Sequence, residues 1–191
     1  MKAIICTRYG PPEVLQPVEV PKPVPLDNEV LIRIHATTCH YGDVRVRGAI
    51  VPLAMQLPFR LYMGFLKPKP GILGMELSGV VETVGNAVRR FRPGDTVLAS
   101  MAFVLGGYAE YRCLPEDAPD IRKGLVVHKH VGPVSKMTTA ELEFLAALVA
   151  EGKLRTCIDR EYPLAQIIEA HRYVQKRHKR GHVVINVYQE S

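Results

Sequence analysis

His40 and Tyr41 are the residues of this chain whose side chains are best suited to move a proton. Both groups can donate, and histidine titrates near neutral pH, where a general acid or base is most effective. Asp43 stands two residues further on. Aspartate often caps helices, so we expect Asp43 to cap the turn or short helix that follows it, with shaping of a cleft floor as the functional alternative. For His40 and Tyr41 the alternative is a partly buried polar pair that faces a cleft without reacting.

The cysteines give no sign of a disulfide framework or a structural metal site. The chain has four of them, all far apart: Cys6, Cys39, Cys113 and Cys157. They form no Cys-x-x-Cys pair, so we expect buried, reduced thiols. Cys39, His40 and Glu76 together offer acceptable metal donors. Adjacent side chains on a strand point to opposite faces, however, and we therefore expect no bound metal.

The elements that must position these residues are short strands in the first part of the chain. Short apolar runs lie at residues 2–7, 29–36, 79–85, 96–99 and 107–113. Prolines and a turn motif at residues 92–95 separate these runs, so residues 1–115 are expected to form an all-β unit, a partly open barrel. Residues 48–71 are apolar without a clean period and end in prolines. They are expected to form a long loop with a short helix that could cover a site.

After Pro115 the pattern changes to helices. Residues 116–123 read as a polar connector and residues 125–128 as a short strand. A helix is expected to start at Thr138 and to stop at Gly152. A second helix is expected to open at Pro163 and to bury one stripe of residues: Leu164, Ile167, Ile168, His171 and Val174. Residues 182–187 are expected to form the last strand.

Charge and hydropathy narrow the class of protein. The 191 residues carry a formal net charge of +6, with a basic run at residues 176–180. This run ends an amphipathic segment, where a helix favours cations, and no aromatic residues are interleaved for base stacking, so nucleic-acid binding is not expected. No apolar run approaches the roughly 18 residues that cross a bilayer, and the first residues do not read as a signal peptide. We therefore expect a cytoplasmic protein without a membrane partner.

Several motifs together resemble the medium-chain dehydrogenase/reductase superfamily, in its zinc-free quinone-oxidoreductase branch. The most specific is Gly74-Met75-Glu76-Leu77-Ser78-Gly79-Val80-Val81-Glu82-Thr83-Val84-Gly85, which runs on to Phe91-Arg92-Pro93-Gly94-Asp95. Further matches lie at residues 2–15, 30–37, 107–111, 152–154, 158–164 and 169–174. The resemblance covers roughly residues 1–117 and 138–188.

The resemblance implies a mainly β (α+β) catalytic domain with a GroES-like fold, built from both parts of the chain around an inserted Rossmann domain. Here no Gly-x-Gly-x-x-Gly turn follows a strand. The sixty or so residues available for the insert are too few for a domain of about 100–150 residues. We therefore expect three parts: residues 1–117 and 153–191 as the catalytic domain, and residues 118–152 as a remnant of the lost nucleotide-binding domain.

The resemblance also implies roles for single residues. The zinc-ligand positions of related enzymes fall on His40 and Met75, and the third ligand belongs to the missing domain. Methionine is a poor zinc ligand, so no zinc is expected. Arg45 and His182 correspond to positions near the cofactor's ribose and phosphates, with simple solvation as the alternative. Glu76 corresponds to an acidic residue behind the active site, with pairing to an arginine such as Arg45 or Arg47 as the alternative.

The function implied is NADPH-dependent reduction of a quinone, enone or related carbonyl or alcohol substrate. Without the wall that holds the cofactor, weak or absent turnover is expected. The alternative is a non-enzymatic binding or oligomerisation module, a homo-oligomer among them, that uses the apolar face left uncovered. A remnant of a zinc alcohol dehydrogenase is a third interpretation. Met75 at a zinc-ligand position argues against it, because methionine is a poor zinc ligand.

Overall fold

A computed structural model gives the fold of this chain. It describes residues 1–69, 71–100, 105–118, 121–123, 144, 147–149, 151–155 and 157–188. Within this part of the chain, no helix is both long and apolar enough to span a bilayer.

The chain begins with an antiparallel hairpin. Strand β1 (Lys2–Cys6) pairs with strand β2 (Leu15–Glu19), with Ile4 opposite Pro17. The side chains of β1 alternate between the core and solvent except at Ala3 and Ile4, which are both buried. A bridge from Ala3 to Ala109 ties the hairpin to the rest of the molecule.

Strand β3 (Glu29–Thr38) is the centre of a seven-stranded open sheet. Along one edge it pairs with β4 (Glu76–Val84). The first half of its other edge pairs with β6 (Tyr111–Pro115), and its last residues pair with β9 (His182–Asn186). A strand buried on both faces needs a continuous apolar run, and Val30, Leu31 and Ile32 supply it.

The remaining strands extend the sheet at its two ends. Strand β5 (Thr96–Ser100) lies beside β4, and β7 (Ile121–Lys123) lies beside β5. At the opposite end β8 (Ile158–Pro163) runs parallel to β9. The expectation of a mainly β chain with a few helices is confirmed, and the described strands form an open sheet rather than a closed barrel.

Within the described residues, three helices with defined bounds accompany this sheet. Helix α1 (Tyr41–Gly48) follows β3 directly, and α2 (Leu53–Met63) is the short helix expected within residues 48–71. Helix α3 (Ile167–Gln175) connects β8 to β9 and packs on α1. The expectation that this helix opens at Pro163 is wrong, because Pro163 ends β8 and a 3₁₀ turn precedes α3.

The β8–α3–β9 unit is a parallel crossover but not a dinucleotide fold. The turn after β8 contains Pro163, Leu164 and Ala165 and no glycine. A Rossmann turn needs glycines so that the backbone can approach the pyrophosphate. The helix α3 instead buries Ile167, Ala170, His171 and Val174 against the core, in agreement with the expected stripe except at Ile168, which is half-buried.

Two apolar clusters form the interior. One lies between the hairpin, α1, α3 and β9, and the other lies within β3, β4 and β5. All four cysteines are free: Cys6 and Cys39 are buried as expected, whereas Cys113 is half-buried and Cys157 is exposed. The expectation of a buried thiol is therefore wrong for Cys157.

Residues 116–123 were expected to form a polar connector, which is wrong at its end, because strand β7 occupies Ile121–Lys123. The strand expected at residues 125–128 and the helix start at Thr138 lie outside the described residues. Residues 147–149 are helical, and Gly152 follows with a φ of +70°, the left-handed conformation that commonly ends a helix. The division at residues 117 and 152 stays a prediction.

Candidate functional site

Three strand ends meet where the site residues lie. Thr38 ends β3, Glu76 begins β4 and His182 begins β9. The Thr38 hydroxyl donates to Glu76 Oε2 at 2.6 Å, and the Thr37 hydroxyl donates to the Glu76 carbonyl at 2.5 Å. Because β4 and β9 both run antiparallel to β3, their first residues lie beside its last ones. The structure thus brings Glu76 and His182 to the same sheet end as His40.

His40 is the N-cap of α1. Its Nδ1 accepts a hydrogen bond from the Gly42 amide at 2.7 Å, and its own amide donates to Asp43 Oδ2 at 3.0 Å. This reciprocal arrangement is a capping box, and it satisfies two amides at the start of the helix. Since Nδ1 accepts, the neutral ring carries its proton on Nε2. Asp43 lies in the first turn of α1, where its carboxylate accepts from the N-cap amide. The expectation that Asp43 precedes the helix is therefore wrong.

Asp43 is fully buried at this position. Its Oδ2 atom is held by the His40 amide, and among the residues that the structure describes no hydrogen bond reaches its Oδ1 atom. Burial raises the pKa of this carboxyl, and the nearby His40 ring opposes the shift. Asp43 therefore faces the interior rather than the floor of an open cleft.

A chain of buried polar side chains continues inward from Asp43. Arg47 on α1 is 1% exposed; its Nε donates to the Gly10 carbonyl at 3.1 Å, and its Nη2 donates to Gln175 at 2.8 Å. Its Nη1 lies 3.4 Å from His171 Nδ1 on α3. His171 Nε2 lies 3.2 Å from the Tyr108 hydroxyl. Arg47, His171 and Tyr108 thus link the two helices and the loop before β6 through the core.

The chemistry of these groups sets the direction of the hydrogen bonds. A guanidinium can only donate, so His171 Nδ1 accepts from Arg47 and His171 Nε2 donates to Tyr108. The Tyr108 proton is then free to point to the Thr38 carbonyl, 3.4 Å away. Burial lowers the pKa of His171 to about 3, and the Arg47 charge acts in the same direction. His171 is therefore neutral at any physiological pH.

Tyr108 and Cys39 lie side by side with Asp43. Burial raises the pKa of the Tyr108 phenol well above its usual value, and the Asp43 charge adds to the shift. Burial likewise raises the pKa of the Cys39 thiol well above its usual value. Neither group is ionised near neutral pH, so this interior contains a protonated phenol and a protonated thiol next to one carboxyl.

Gly74 makes room for Tyr108. A Cβ at Gly74 would lie 2.8 Å from the Gly107 Cα and from the Tyr108 amide nitrogen, and its φ of +95° disfavours any side chain. The segment of Gly74 thus packs closely against that of Gly107 and Tyr108, and Met75 and Glu76 follow at the sheet end. This close packing also explains why two of the matched motifs contain glycine at these places.

The other candidate residues lie around this core. The Arg177 guanidinium covers the Tyr41 ring at 4.3 Å and donates to its hydroxyl. Arg45 is exposed on α1, and its Nε donates to the Ile50 carbonyl at 3.1 Å. Glu76 is 6% exposed, and His182 is half-buried with its amide donating to Cys157. The structure therefore groups His40, Tyr41, Asp43, Glu76 and His182 at one sheet end, with Arg45 one turn further along α1.

Sequence reasoning missed Arg47, His171 and Tyr108 as members of the site. Arg47 entered as a candidate partner of Glu76, but its described contacts go to α3 and Gly10. His171 fell on the apolar stripe of α3, where a polar side chain needs a buried partner. The corresponding signal in α1 was Arg47, a charged residue close to the apolar residues of that helix.

These residues do not fit a catalytic zinc ion. His40 Nδ1 is engaged by the Gly42 amide, and Met75 stands at the second ligand position. Among the residues that the structure describes, no three His, Cys, Asp or Glu side chains are grouped as a metal would need.

A groove of about 570 Å³ lies on another part of the surface. The hairpin and the β8–β9 end of the sheet form its walls, with Lys2, Val18, Leu164 and Tyr188 among the lining residues. None of the candidate site residues lines it. It is therefore separate from the site at the end of β3.

The described part of the chain is thus an open β-sheet whose polar candidate residues lie where β3 ends, and no zinc-ligand cluster is found within it. The profile of the family described as zinc-binding dehydrogenase matches residues 71–185. The chain belongs to this family, within the quinone-oxidoreductase-like branch of the medium-chain dehydrogenase/reductase superfamily.

The curated relatives of the chain include proteins named as oxidoreductases. A pig quinone oxidoreductase is 33% identical over 118 residues, which cover 61% of this chain and 32% of that protein. A mitochondrial NAD(P)H oxidoreductase RTN4IP1 of Dictyostelium discoideum is 31% identical over 138 residues, or 68% of this chain and 35% of that protein. The chain therefore spans about a third of the length of the curated relatives it matches.

Solved structures support the fold. The quinone oxidoreductase of Coxiella burnetii superposes with a TM-score of 0.79 at 18% identity, covering 98% of this chain and 99% of that one. The human synaptic vesicle membrane protein VAT-1 homolog-like protein gives a TM-score of 0.75 at 14% identity, covering 100% and 99%. At such identities the likeness concerns the fold alone.

Proposed function

We propose that this chain is the substrate-side domain of an NADPH-dependent reductase of quinones, enones or related carbonyl compounds, and that it turns over weakly or not at all by itself. The observation that carries the proposal is the strand-end site, where His40 and Tyr41 flank Thr38 and Glu76 and no zinc ligand set is formed among the described residues. A reductase of this branch needs no Lewis acid if a protein group or water supplies the proton to the substrate.

In the proposed reaction a bound NADPH supplies the hydride. The capping box holds the His40 ring by Nδ1 and leaves the Nε2 proton on its far side. Tyr41 lies next to it, with its hydroxyl accepting from Arg177 and its own proton free for transfer. His40, Tyr41 and Asp43 are thus the proposed proton-handling group, with Asp43 acting through the His40 amide.

Weak turnover follows from the few contacts that this domain offers the cofactor. Arg45, Glu76 and His182 are the proposed cofactor residues, and of these Glu76 is buried against Thr38. The glycine-rich turn that would hold the pyrophosphate occurs nowhere in the sequence. A misplacement of reacting groups by about 1 Å can cost about 100-fold in rate. Residues 118–152 stand where we propose that the nucleotide-binding domain has been lost.

The test is a titration of the purified chain with NADPH, followed by cofactor fluorescence, with quinone-dependent NADPH oxidation measured in parallel. We expect weak binding and oxidation close to the buffer rate. The matched variant is His40→Asn, because asparagine preserves the N-cap and removes the titrating ring. Saturable binding in the micromolar range together with turnover that His40→Asn reduces would overturn the proposed inactivity while supporting the assigned site.

A second candidate is a binding or oligomerisation module. The observation in its favour is α2 with the residues after it, which expose large apolar side chains: Leu53, Met55, Leu57, Leu61, Tyr62, Phe65 and Leu66. Apolar patches above a few hundred Å² usually contact a partner. A molar mass that rises with protein concentration, measured by light scattering, would favour this candidate.

A further inference from the structure

One face of helix α2 is fixed to the body of the protein. Phe59 and Met63 pack against the apolar cluster between the hairpin, α1, α3 and β9. The Tyr9 ring lies 6.2 Å from the Phe59 ring, and the Tyr9 hydroxyl donates to the Gly64 carbonyl at 2.8 Å. These contacts set the rotation of α2 about its axis and therefore decide which side chains it presents to solvent.

The opposite face of α2 is exposed and apolar, and the residues after the helix continue it. Its large side chains have exposed fractions between 59% and 89%: Leu53, Leu57, Leu61, Tyr62, Phe65 and Leu66. The helix contains a single charged residue, Arg60, which is half-buried and donates to the Phe65 carbonyl at 2.8 Å. The outer face of a helix that only contacts water usually carries charged and polar residues. The outer face of α2 is thus suited to an apolar environment.

The exposed charges around this face are all positive. The sequence contains no aspartate or glutamate between Asp43 and Glu76, and both of these carboxylates are buried. The charged side chains exposed within residues 44–75 are Arg45, Lys67 and Lys69. The segment therefore combines exposed apolar side chains with cations that have no acidic neighbour in the sequence.

Lys67 and Lys69 lie beside the apolar face rather than on a separate loop. The Lys69 amide donates to the Met63 carbonyl at 2.6 Å, and the Arg60 guanidinium holds the Phe65 carbonyl, so residues 64–69 stay against the end of α2. A second copy packed symmetrically on this face would bring the same lysines together, and like charges oppose such a contact. A layer of anionic headgroups above an apolar interior would pair with both parts of the surface.

We propose that α2 and residues 64–69 form a surface that docks on an anionic lipid bilayer. A helix of 11 residues is about 16 Å long, so it lies along the headgroups and inserts only its apolar face. The expectation of a protein without a membrane partner concerned a spanning segment, and a helix that lies on the surface needs none. The lysines contact the headgroup phosphates, and Tyr62 lies at the depth where aromatic residues favour the interface.

A tryptophan placed on this face reports its contact with lipid. The chain has no tryptophan of its own, so Leu61→Trp gives the full chain a single fluorophore on the exposed face of α2. With vesicles of phosphatidylcholine and phosphatidylglycerol, we expect its emission to shift to the blue, and with phosphatidylcholine alone to shift less. Leu26→Trp is the matched control, because Leu26 is 66% exposed outside this surface. An unchanged emission of Leu61→Trp, or an equal shift in the two variants, would overturn the proposal.

Co-sedimentation of the full chain with the same anionic vesicles separates the two contributions. Lys67→Gln and Lys69→Gln should each weaken binding about fivefold, as expected for one cation near a charged bilayer. The double variant Leu57→Ser and Leu61→Ser should weaken it about tenfold or more, because the apolar anchor is lost. Lys176→Gln, a change at an exposed lysine of the basic run, is the charge-matched control and should leave binding almost unchanged.

An equal loss in Lys176→Gln and Lys67→Gln would show attraction by net charge alone and would overturn the docking surface. Another contradicting result is a concentration-dependent mass that the double variant abolishes, without vesicle binding, since a second copy would then cover α2. Vesicle binding that depends on Lys67 and Leu61 in a chain that does not oxidise NADPH would support the lipid surface and leave the proposed reductase activity unsupported. NADPH oxidation without vesicle binding would give the reverse result.

Discussion

Helices α1 and α2 are neighbours in the chain, yet α1 buries polar side chains whereas α2 exposes apolar ones. Helix α1 buries Asp43 and Arg47, whereas α2 leaves Leu53 89% exposed and Leu61 65% exposed. In α1 the Asp43 carboxylate accepts from the His40 amide of the same helix cap, and Arg47 meets partners from distant segments: Gly10, His171 and Gln175. In α2 the described part of the chain buries Met63 and leaves most other side chains outside.

The difference shows that hydropathy alone does not decide which side chains of these two helices are buried, because hydrogen-bond partners also count. A buried cation is tolerated when its hydrogen bonds are made, and it becomes costly when one partner is removed. Leaving an apolar side chain exposed to water costs far less free energy, because that side chain is also exposed in the unfolded chain. We therefore expect substitutions of the buried polar residues of α1 to destabilise the fold, and substitutions of the exposed apolar residues of α2 to change contacts with other molecules.

The largest effect is expected for Arg47→Ala. It removes the donor to the Gly10 carbonyl and to Gln175 and leaves His171 Nδ1 without its donor in the core, so the free energy of unfolding should fall by about 3 kcal/mol or more. Urea denaturation followed by circular dichroism measures this change. The matched control is Arg45→Ala on the exposed face of the same helix, expected to stay within about 0.5 kcal/mol. Similar losses in the two variants would contradict the role of the buried polar chain.

A somewhat smaller effect is expected from the pH dependence of His171. The folded chain accepts a proton on this ring at a pKa of about 3, whereas the unfolded chain accepts it near pH 6.5. Acidification therefore favours the unfolded state. The stability associated with the neutral His171 ring is fully present above pH 6.5 and is lost as the pH falls toward 3. Between pH 6.5 and 4.5 it should amount to about 2–3 kcal/mol.

The measurement is the free energy of unfolding of the wild type and of His171→Gln across this pH range. The difference between the two should shrink as the pH falls, because glutamine does not titrate. His178→Gln, a change at an exposed histidine, serves as control and should keep the wild-type slope. Parallel curves for the wild type and His171→Gln would show that the ring is not held neutral.

The smallest effect on stability is expected in α2. The double variant Leu57→Ser and Leu61→Ser should change the free energy of unfolding by less than about 0.5 kcal/mol per site, because both side chains are exposed. It should also lower any concentration-dependent mass seen by light scattering. Met63→Ser in the same helix should instead cost about 2–3 kcal/mol, since Met63 is 2% exposed. A large loss of stability in the double variant would mean that α2 packs within the monomer.

Local features could be predicted from the sequence because they depend on neighbouring residues. The turn at residues 92–95 forms as expected: Gly94 has a φ of +92°, and the Arg92 amide donates to Asp95. The apolar stripe of α3 and the last strand were also predicted, since period and composition are enough for them. The N-cap was predicted less well, because His40 is an unusual capping residue and Asp43 offered a commoner choice.

The sequence by itself indicated most of the strands, the turn at residues 92–95, the family and the absence of a glycine-rich dinucleotide turn, all of which depend on short segments. The tertiary structure decided which polar residues meet. Arg47 and His171 are 124 positions apart, and Tyr41 and Arg177 are 136 apart. These contacts arise because β9 pairs with the end of β3 and brings α3 and its following loop against α1. Strand pairing over such distances depends on the packing of the whole core, which no local pattern encodes.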